Sequence, residues 1–167
     1  LELQFKSIAA QRGIKFSVHD AQFWIDTDPQ WIRRIIQNFV SNALRYTASG
    51  KVIVGVLRSS SKPNHIRIGV WDTGPGIAEE QRIKLFQEFE RCGHTSPWGE
   101  QGLGLGLAIV KQVFDRHNAT IVAEESDDGG ARFRVVFPGR PPGDDPQDGD
   151  EGALARTSRV IPRKGYS

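Results

Sequence analysis

Two asparagines, Asn38 and Asn42, stand four residues apart in a run whose apolar members Ile32, Ile35, Ile36, Phe39, Val40, Ala43 and Leu44 recur at helical spacing. That spacing puts both carboxamides on one helix face, with Arg45 and Tyr46 one turn further on. Asparagine is a mediocre helix former, so the pair has a cost. Its reading is either a solvated polar face or a site for a hard cation: Mg²⁺ accepts a carboxamide oxygen and takes its other ligands from water and phosphates. Downstream, Asp72-Thr73-Gly74-Pro75-Gly76-Ile77 places a carboxylate before a backbone that can turn sharply and approach a ligand closely. Asp72 has the same strand parity as Ile66, Ile68 and Val70, so it ends a core-facing row and needs donors. An adenine amine is one such donor; a tight turn capped by Asp72 is the other reading. Arg91 closes the run Leu85–Arg91 and is either a phosphate ligand or a solvated cation. Gly102, Gly104 and Gly106 then alternate with Leu103, Leu105 and Leu107 before a helical stretch. Such a run offers free amides and a helix N-terminus to an anion, or is simply a flexible loop.

These groups need positioning elements. Residues 1–12 are spaced as a helix, and Gly13 ends it. Residues 14–19 alternate as a half-buried strand, and Phe23-Trp24-Ile25 is a short second strand. Asp28-Pro29 is an N-cap followed by proline at the first helical position, opening the asparagine helix, which stops before Ser49-Gly50. Strands follow at 51–57 and 66–71, a helix at 78–89, a Gly/Ser/Pro-containing loop at 91–102 that is mobile by composition, and a helix from about 103 to 117. Strands at 119–125 and 131–137 close the pattern through the turn Asp127-Asp128-Gly129-Gly130. The order predicts an α/β (α+β) two-layer sandwich: a mixed, mainly antiparallel sheet of about five strands with three helices on one face. Residues 139–167 hold four of the nine prolines and five of the eighteen glycines, with an acidic block before a basic one. They read as a disordered tail or linker.

Composition narrows the classes. The 22 Lys+Arg and 20 Asp+Glu of the 167 residues leave a net charge of +2, which disfavours binding nucleic acid through bulk positive charge. The single cysteine, Cys92, excludes an intrachain disulfide and an all-cysteine metal site. No apolar run approaches a membrane span. The chain opens Leu1-Glu2-Leu3 and has no methionine, which reads as a fragment of something longer. The glycine spacing fits neither the P-loop nor the dinucleotide fingerprint, and no H-R-D or D-F-G motif is present.

Taken together the motifs resemble one family. NFVSNALRYT (38–47) is similar to the N box of two-component sensor histidine kinases, DTGPGI (72–77) to the first glycine box, LFQEFER (85–91) to the F box and GLGLGLAIV (102–110) to the second glycine box. The resemblance covers roughly residues 1–138 and implies the ATP-binding catalytic domain, with the fold shared by gyrase, heat-shock chaperone and mismatch-repair ATPases. It implies residues 1–12 as the end of the helix from a preceding dimerisation domain, 13–138 as the ATP-binding domain and 91–102 as its ATP lid. It implies an ATP set of Asn38, Asn42, Arg45, Tyr46, Asp72, Gly74, Gly76, Ile77, Arg91, Gly102, Leu103, Gly104, Gly106 and Leu107. Within that set Asp72 takes the adenine amine and Asn42 holds Mg²⁺. The family often has Thr or Ser where this chain has Ala131, which puts one water-mediated adenine contact in doubt.

The implied reaction is transfer of the γ-phosphoryl group of ATP to a histidine on a separate dimerisation domain, with a response regulator downstream and a cytoplasmic location. No histidine here fits the acceptor: His19 and His117 read as structural, His65 and His94 as exposed. The chain is therefore expected to carry no phospho-acceptor and to touch neither membrane nor nucleic acid. The alternatives are a non-transferring nucleotide-sensing or interaction module of the same fold, and an anti-sigma-type serine kinase.

Overall fold

The computed structural model of the chain describes residues 2–19, 21, 23–60, 62, 64–82, 84–85, 96–99, 110, 119–140 and 157–160. Helix α1 (Glu2–Gln11) turns Phe5 and Ala9 inward and ends at Gly13, whose φ of +66° is the left-handed value that suits glycine. Strand β1 (Ile14–His19) follows directly, with Ile14 buried and Phe16 and Val18 packed against the core. By parity His19 then points outward and is exposed, whereas His65 is half-buried; this reverses the expected assignment of the two.

Strand β2 (Phe23–Asp26) leads into helix α2 (Pro29–Tyr46). Its start is set by chemistry: the Asp28 carboxylate accepts the Gln30 amide at 2.8 Å, and Pro29 occupies a position that needs no donor. Asp28→Ala should therefore lower the unfolding free energy by about 1 kcal/mol in a urea titration, and Asp28→Asn should leave it nearly unchanged. A full-stability Asp28→Ala chain would contradict this.

The apolar stripe of α2, including Ile35, Phe39, Val40, Ala43 and Leu44, is buried on the sheet. There Phe39 meets Phe133 with ring centroids 5.3 Å apart, and Trp31 meets Phe137 edge-on at 5.6 Å. Strands β3 (Gly50–Arg58) and β4 (His65–Asp72) form an antiparallel pair. A short helix, α3 (Glu79–Arg82), comes next. The helix expected over 78–89 is thus described only for this first turn. Beyond it the chain tightens, since Lys84 donates to the Gln81 carbonyl three residues back. Residues 86–89 lie outside the described residues, as does the helix expected at 103–117 except for Val110, which is helical and buried.

Strands β5 (Thr120–Glu125) and β6 (Ala131–Arg140) complete the main sheet in the order β1-β3-β4-β6-β5. Among the described strands only β1–β3 pair in parallel, and α2 supplies the crossover that a parallel pair requires. The result is the expected two-layer sandwich with helices on one face. Phe133, Val135 and Phe137 of β6 enter the core, while Arg132 and Arg134 stand on the other face and pair with Glu124. On that face the Trp71 indole lies against Gly69 and Gly55; a Cβ on Gly69 would come within 2.6 Å of the ring.

One feature departs from the tail expectation. Strand β7 (Thr157–Val160) pairs antiparallel with β2, and β2 in turn pairs with the end of β6. Strand addition runs through backbone amides and carbonyls, so a segment with few apolar side chains can make it.

Candidate functional site

Asp72 ends β4 on the same face as Ile66, Ile68 and Val70, as its parity predicts, and is 7% exposed. Two backbone amides compensate for burial: Gly74 donates to Asp72 Oδ1 at 2.9 Å and Ala131 at 3.1 Å. Burial pushes the carboxyl above the ordinary aspartate value, and these two bonds pull the other way. Both amides fall on one oxygen. Among the described residues no donor reaches Oδ2, so the carboxylate keeps an acceptor for an incoming group.

The wall around it is backbone packed on backbone. Gly76 has φ of +74°, and a Cβ there would lie 2.6 Å from the Gly129 carbonyl oxygen. A Cβ on Gly130 would lie 1.9 Å from the Asp72 carbonyl oxygen. The hairpin is fastened to the same carbonyl by the Ser126 hydroxyl, which donates at 3.3 Å and accepts from the Gly130 amide at 3.0 Å. Ile77 is buried beneath the loop.

The last turn of α2 closes one side. The space a Cβ on Gly74 would fill is bounded by Asp72 Oδ1 at 3.0 Å, Thr47 Oγ1 at 3.2 Å and the Tyr46 carbonyl oxygen at 3.4 Å. Thr47 is fully buried, and its hydroxyl has no hydrogen-bond partner among the described residues. Arg45 and Tyr46 are half-buried beside it. Asn42, one turn back, is half-buried, and Asn38 donates its Nδ2 to the Arg34 carbonyl at 3.1 Å, which leaves its Oδ1 for other use. Among the described residues no group of three or more His, Cys, Asp or Glu could hold a metal ion; the candidate oxygen donors Asn38 and Asn42 are carboxamides.

The structure thus brings Asp72, Gly74 and Tyr46 together, with Gly76 and Ile77 in the same loop and Asn38, Asn42 and Arg45 on the adjoining helix. Arg91, Gly102, Leu103, Gly104, Gly106 and Leu107 lie outside the described residues. Sequence reasoning placed Ala131 at the site but missed its amide bond to Asp72, and missed Ser126 and Gly130 as parts of the site. The hairpin glycines were the one available signal, and a donating backbone amide has none. It also missed that part of the 91–102 loop is held: Ser96 is buried, its hydroxyl donates to the Arg45 carbonyl at 2.9 Å, and the Trp98 indole N–H donates to the Thr47 carbonyl at 3.3 Å.

This architecture is the α/β sandwich of histidine kinase ATPase domains. Residues 27–141 match the family of histidine kinase-, DNA gyrase B-, and HSP90-like ATPases, and the chain belongs to that family. Its homologues are sensor histidine kinases: TmoS of Ectopseudomonas mendocina is 37% identical over 135 residues, which cover 80% of this chain and 14% of TmoS. The chain therefore spans a small part of that relative's length. The structure of the mycobacterial sensor histidine kinase MprB is similar with a TM-score of 0.67 at 28% identity, over 83% of this chain and 93% of that one. Full-length ShkA in complex with AMPPNP is similar with a TM-score of 0.67 at 25% identity, over 84% of this chain and 28% of ShkA.

Proposed function

We propose that the chain binds ATP with Mg²⁺ and donates the γ-phosphoryl group to a histidine on a helical dimerisation domain of its parent protein, for relay to a response regulator. The observation that carries this reading is the buried Asp72 carboxylate, held through Oδ1 by two amides and keeping Oδ2 for an exocyclic amine. The Thr47 hydroxyl beside Gly74, without a hydrogen-bond partner among the described residues, is a second polar atom on this wall. It supplies a hydroxyl that position 131, an alanine, lacks. The AMPPNP complex of ShkA supports a nucleotide as the ligand.

The donor chemistry fits Mg²⁺ as well. Mg²⁺ commonly takes one or two protein oxygens and the rest from phosphates and water. Asn42 would hold it, with the Asn38 oxygen assisting at the phosphates. When bound, the ion offsets the charge of the phosphate oxygens, which is most of what phosphoryl transfer asks of a site. Arg45 adds a guanidinium beside the phosphates, Tyr46 flanks the nucleotide, and Gly74 and Gly76 let the backbone approach it. We assign Arg91 and the 102–107 glycine run to the phosphate end, with 91–102 as the lid, 1–12 as the joint to the dimerisation domain and a cytoplasmic place of work.

Isothermal titration with a non-hydrolysable ATP analogue tests the site: binding that strengthens with Mg²⁺ is expected. Asn42→Ala should weaken binding about tenfold in Mg²⁺ and remove most of the Mg²⁺ dependence; retained dependence would sink the metal assignment. Adding a separately produced dimerisation domain with radiolabelled ATP tests the transfer. An acid-labile, base-stable label on that domain is expected, and no label would contradict the proposal.

A further inference from the structure

An α-helix ends with carbonyls that have no partner within it. Many helices solve this locally, with a glycine in the left-handed conformation just past the end. Helix α2 does not: Thr47 is extended, with φ of −85° and ψ of 113°, and its amide caps only the Ala43 carbonyl, at 3.1 Å. Three of the carbonyls that follow are capped from elsewhere. Arg12 Nη1 donates to Leu44 at 3.0 Å, Ser96 Oγ to Arg45 at 2.9 Å and Trp98 Nε1 to Thr47 at 3.3 Å. Arg12 follows α1, and Ser96 and Trp98 belong to one turn that the Trp98 amide closes by donating to Ser96 Oγ at 3.2 Å.

The two sources also meet each other. The Arg12 guanidinium lies over the Trp98 indole, 5.2 Å from its centroid. A guanidinium there does two things at once: it faces the negative end of the helix dipole, and it stacks on an aromatic face. The same helix end borders Gly74 through the Tyr46 carbonyl and the Thr47 hydroxyl, next to Asp72 Oδ1. The carbonyls held are those of Leu44, Arg45 and Thr47, on either side of Tyr46 where the helix end borders the candidate site.

We propose that Arg12, Ser96 and Trp98 form a clasp that fixes the last turn of α2 against Asp72 and Gly74, so that they are positioning residues for the nucleotide and tie its affinity to the seating of α1. This rests on the reading of the site as a nucleotide site. Without the clasp the terminal turn frays, as unsupported helix ends do, and Arg45 and Tyr46 lose their fixed relation to the carboxylate.

The test uses the whole chain, Mg²⁺ and a non-hydrolysable ATP analogue. Trp98→Ala and Arg12→Ala should each weaken binding about tenfold, and the double variant about tenfold as well, because both act on one turn. Trp98→Phe, which keeps the ring under Arg12 but loses the N–H, should fall between wild type and Trp98→Ala. Hydrogen exchange at the Thr47 amide should speed up in all of them. A lowered melting temperature with affinity and Thr47 exchange unchanged would reduce the cluster to ordinary packing and overturn the proposal, as would a double variant weakened about a hundredfold, which would mean two independent roles. A wild-type chain that binds no nucleotide would overturn the reading of the site and with it the coupling to affinity. Thr47 exchange needs no nucleotide and then decides whether the clasp holds the helix end.

Discussion

Replacing Asp72 with asparagine should lower the affinity for an ATP analogue about a hundredfold while leaving the empty fold at least as stable. The two amides from Gly74 and Ala131 both donate to Oδ1, so asparagine keeps its carbonyl oxygen there and turns its NH₂ to where Oδ2 was. A donor then faces the adenine amine, itself a donor. The loss combines a charge-assisted bond, worth about 1.5–3 kcal/mol, with two unmatched buried donors. The empty protein gains instead, because a charge held away from water is removed. The pH dependence follows with its sign. Burial raises the Asp72 pKa from 3.8, so the folded chain binds that proton more tightly than the unfolded one, and Asp72 subtracts stability as pH rises through this interval. For the ligand the protonated carboxyl is the poor acceptor. Wild-type affinity should therefore fall on acidification at a pH above that of an ordinary aspartate, and Asp72→Asn should lack that step. Calorimetry across the acid range decides it: a wild-type profile with no such step, or an asparagine variant of normal affinity, would remove Asp72 from its role.

Gly130→Ala should be the most damaging added methyl among the described glycines, with a loss of at least about 3 kcal/mol in urea unfolding. Its Cβ would sit 1.9 Å from the Asp72 carbonyl oxygen, 2.6 Å from the carbonyl carbon and 2.8 Å from Thr73 Cα. All three are backbone atoms at the end of a central strand, and no rotamer change relieves them. The neighbouring position is the control. Gly129 has nothing within 4 Å of its would-be Cβ, but its φ is +81°, so Gly129→Ala meets only backbone strain of about 1–2 kcal/mol. If the two variants unfolded alike, turn conformation and not close approach would explain the glycine pair.

The sequence showed some of this and not the rest, for physical reasons. Period-two alternation is a direct image of a sheet with one covered face, so the main strands were legible. So was the anomaly of Asp72, because parity assigns a side chain to a face before any partner is known. The Asp28-Pro29 start was legible because capping is local. Ala131 was not, because its contribution is an amide that every residue but proline carries. Gly130 was read as a turn residue; that it also clears space for Asp72 depends on a strand end 58 residues away. Trp98 and Ser96 lay in a stretch whose composition suggests mobility, and only the docked helix end shows what they hold. His19 and His65 were reversed because histidine type says little about burial; strand parity, which puts His19 opposite Ile14, Phe16 and Val18, is the physical signal for its exposure.

The Ala131–Asp72 hydrogen bond spans 59 residues of sequence. The β3–β4 hairpin that carries Asp72 is local and should pair early, whereas β6 joins it only after a long loop has closed. Until then the aspartate has its Gly74 amide but not its second donor, and the wall at Gly130 is missing. During synthesis, a chain that has emerged from the ribosome only as far as β5 already contains every motif residue assigned to the nucleotide and still lacks the finished wall around Asp72. Ligand capture would then report that the last main strand has docked.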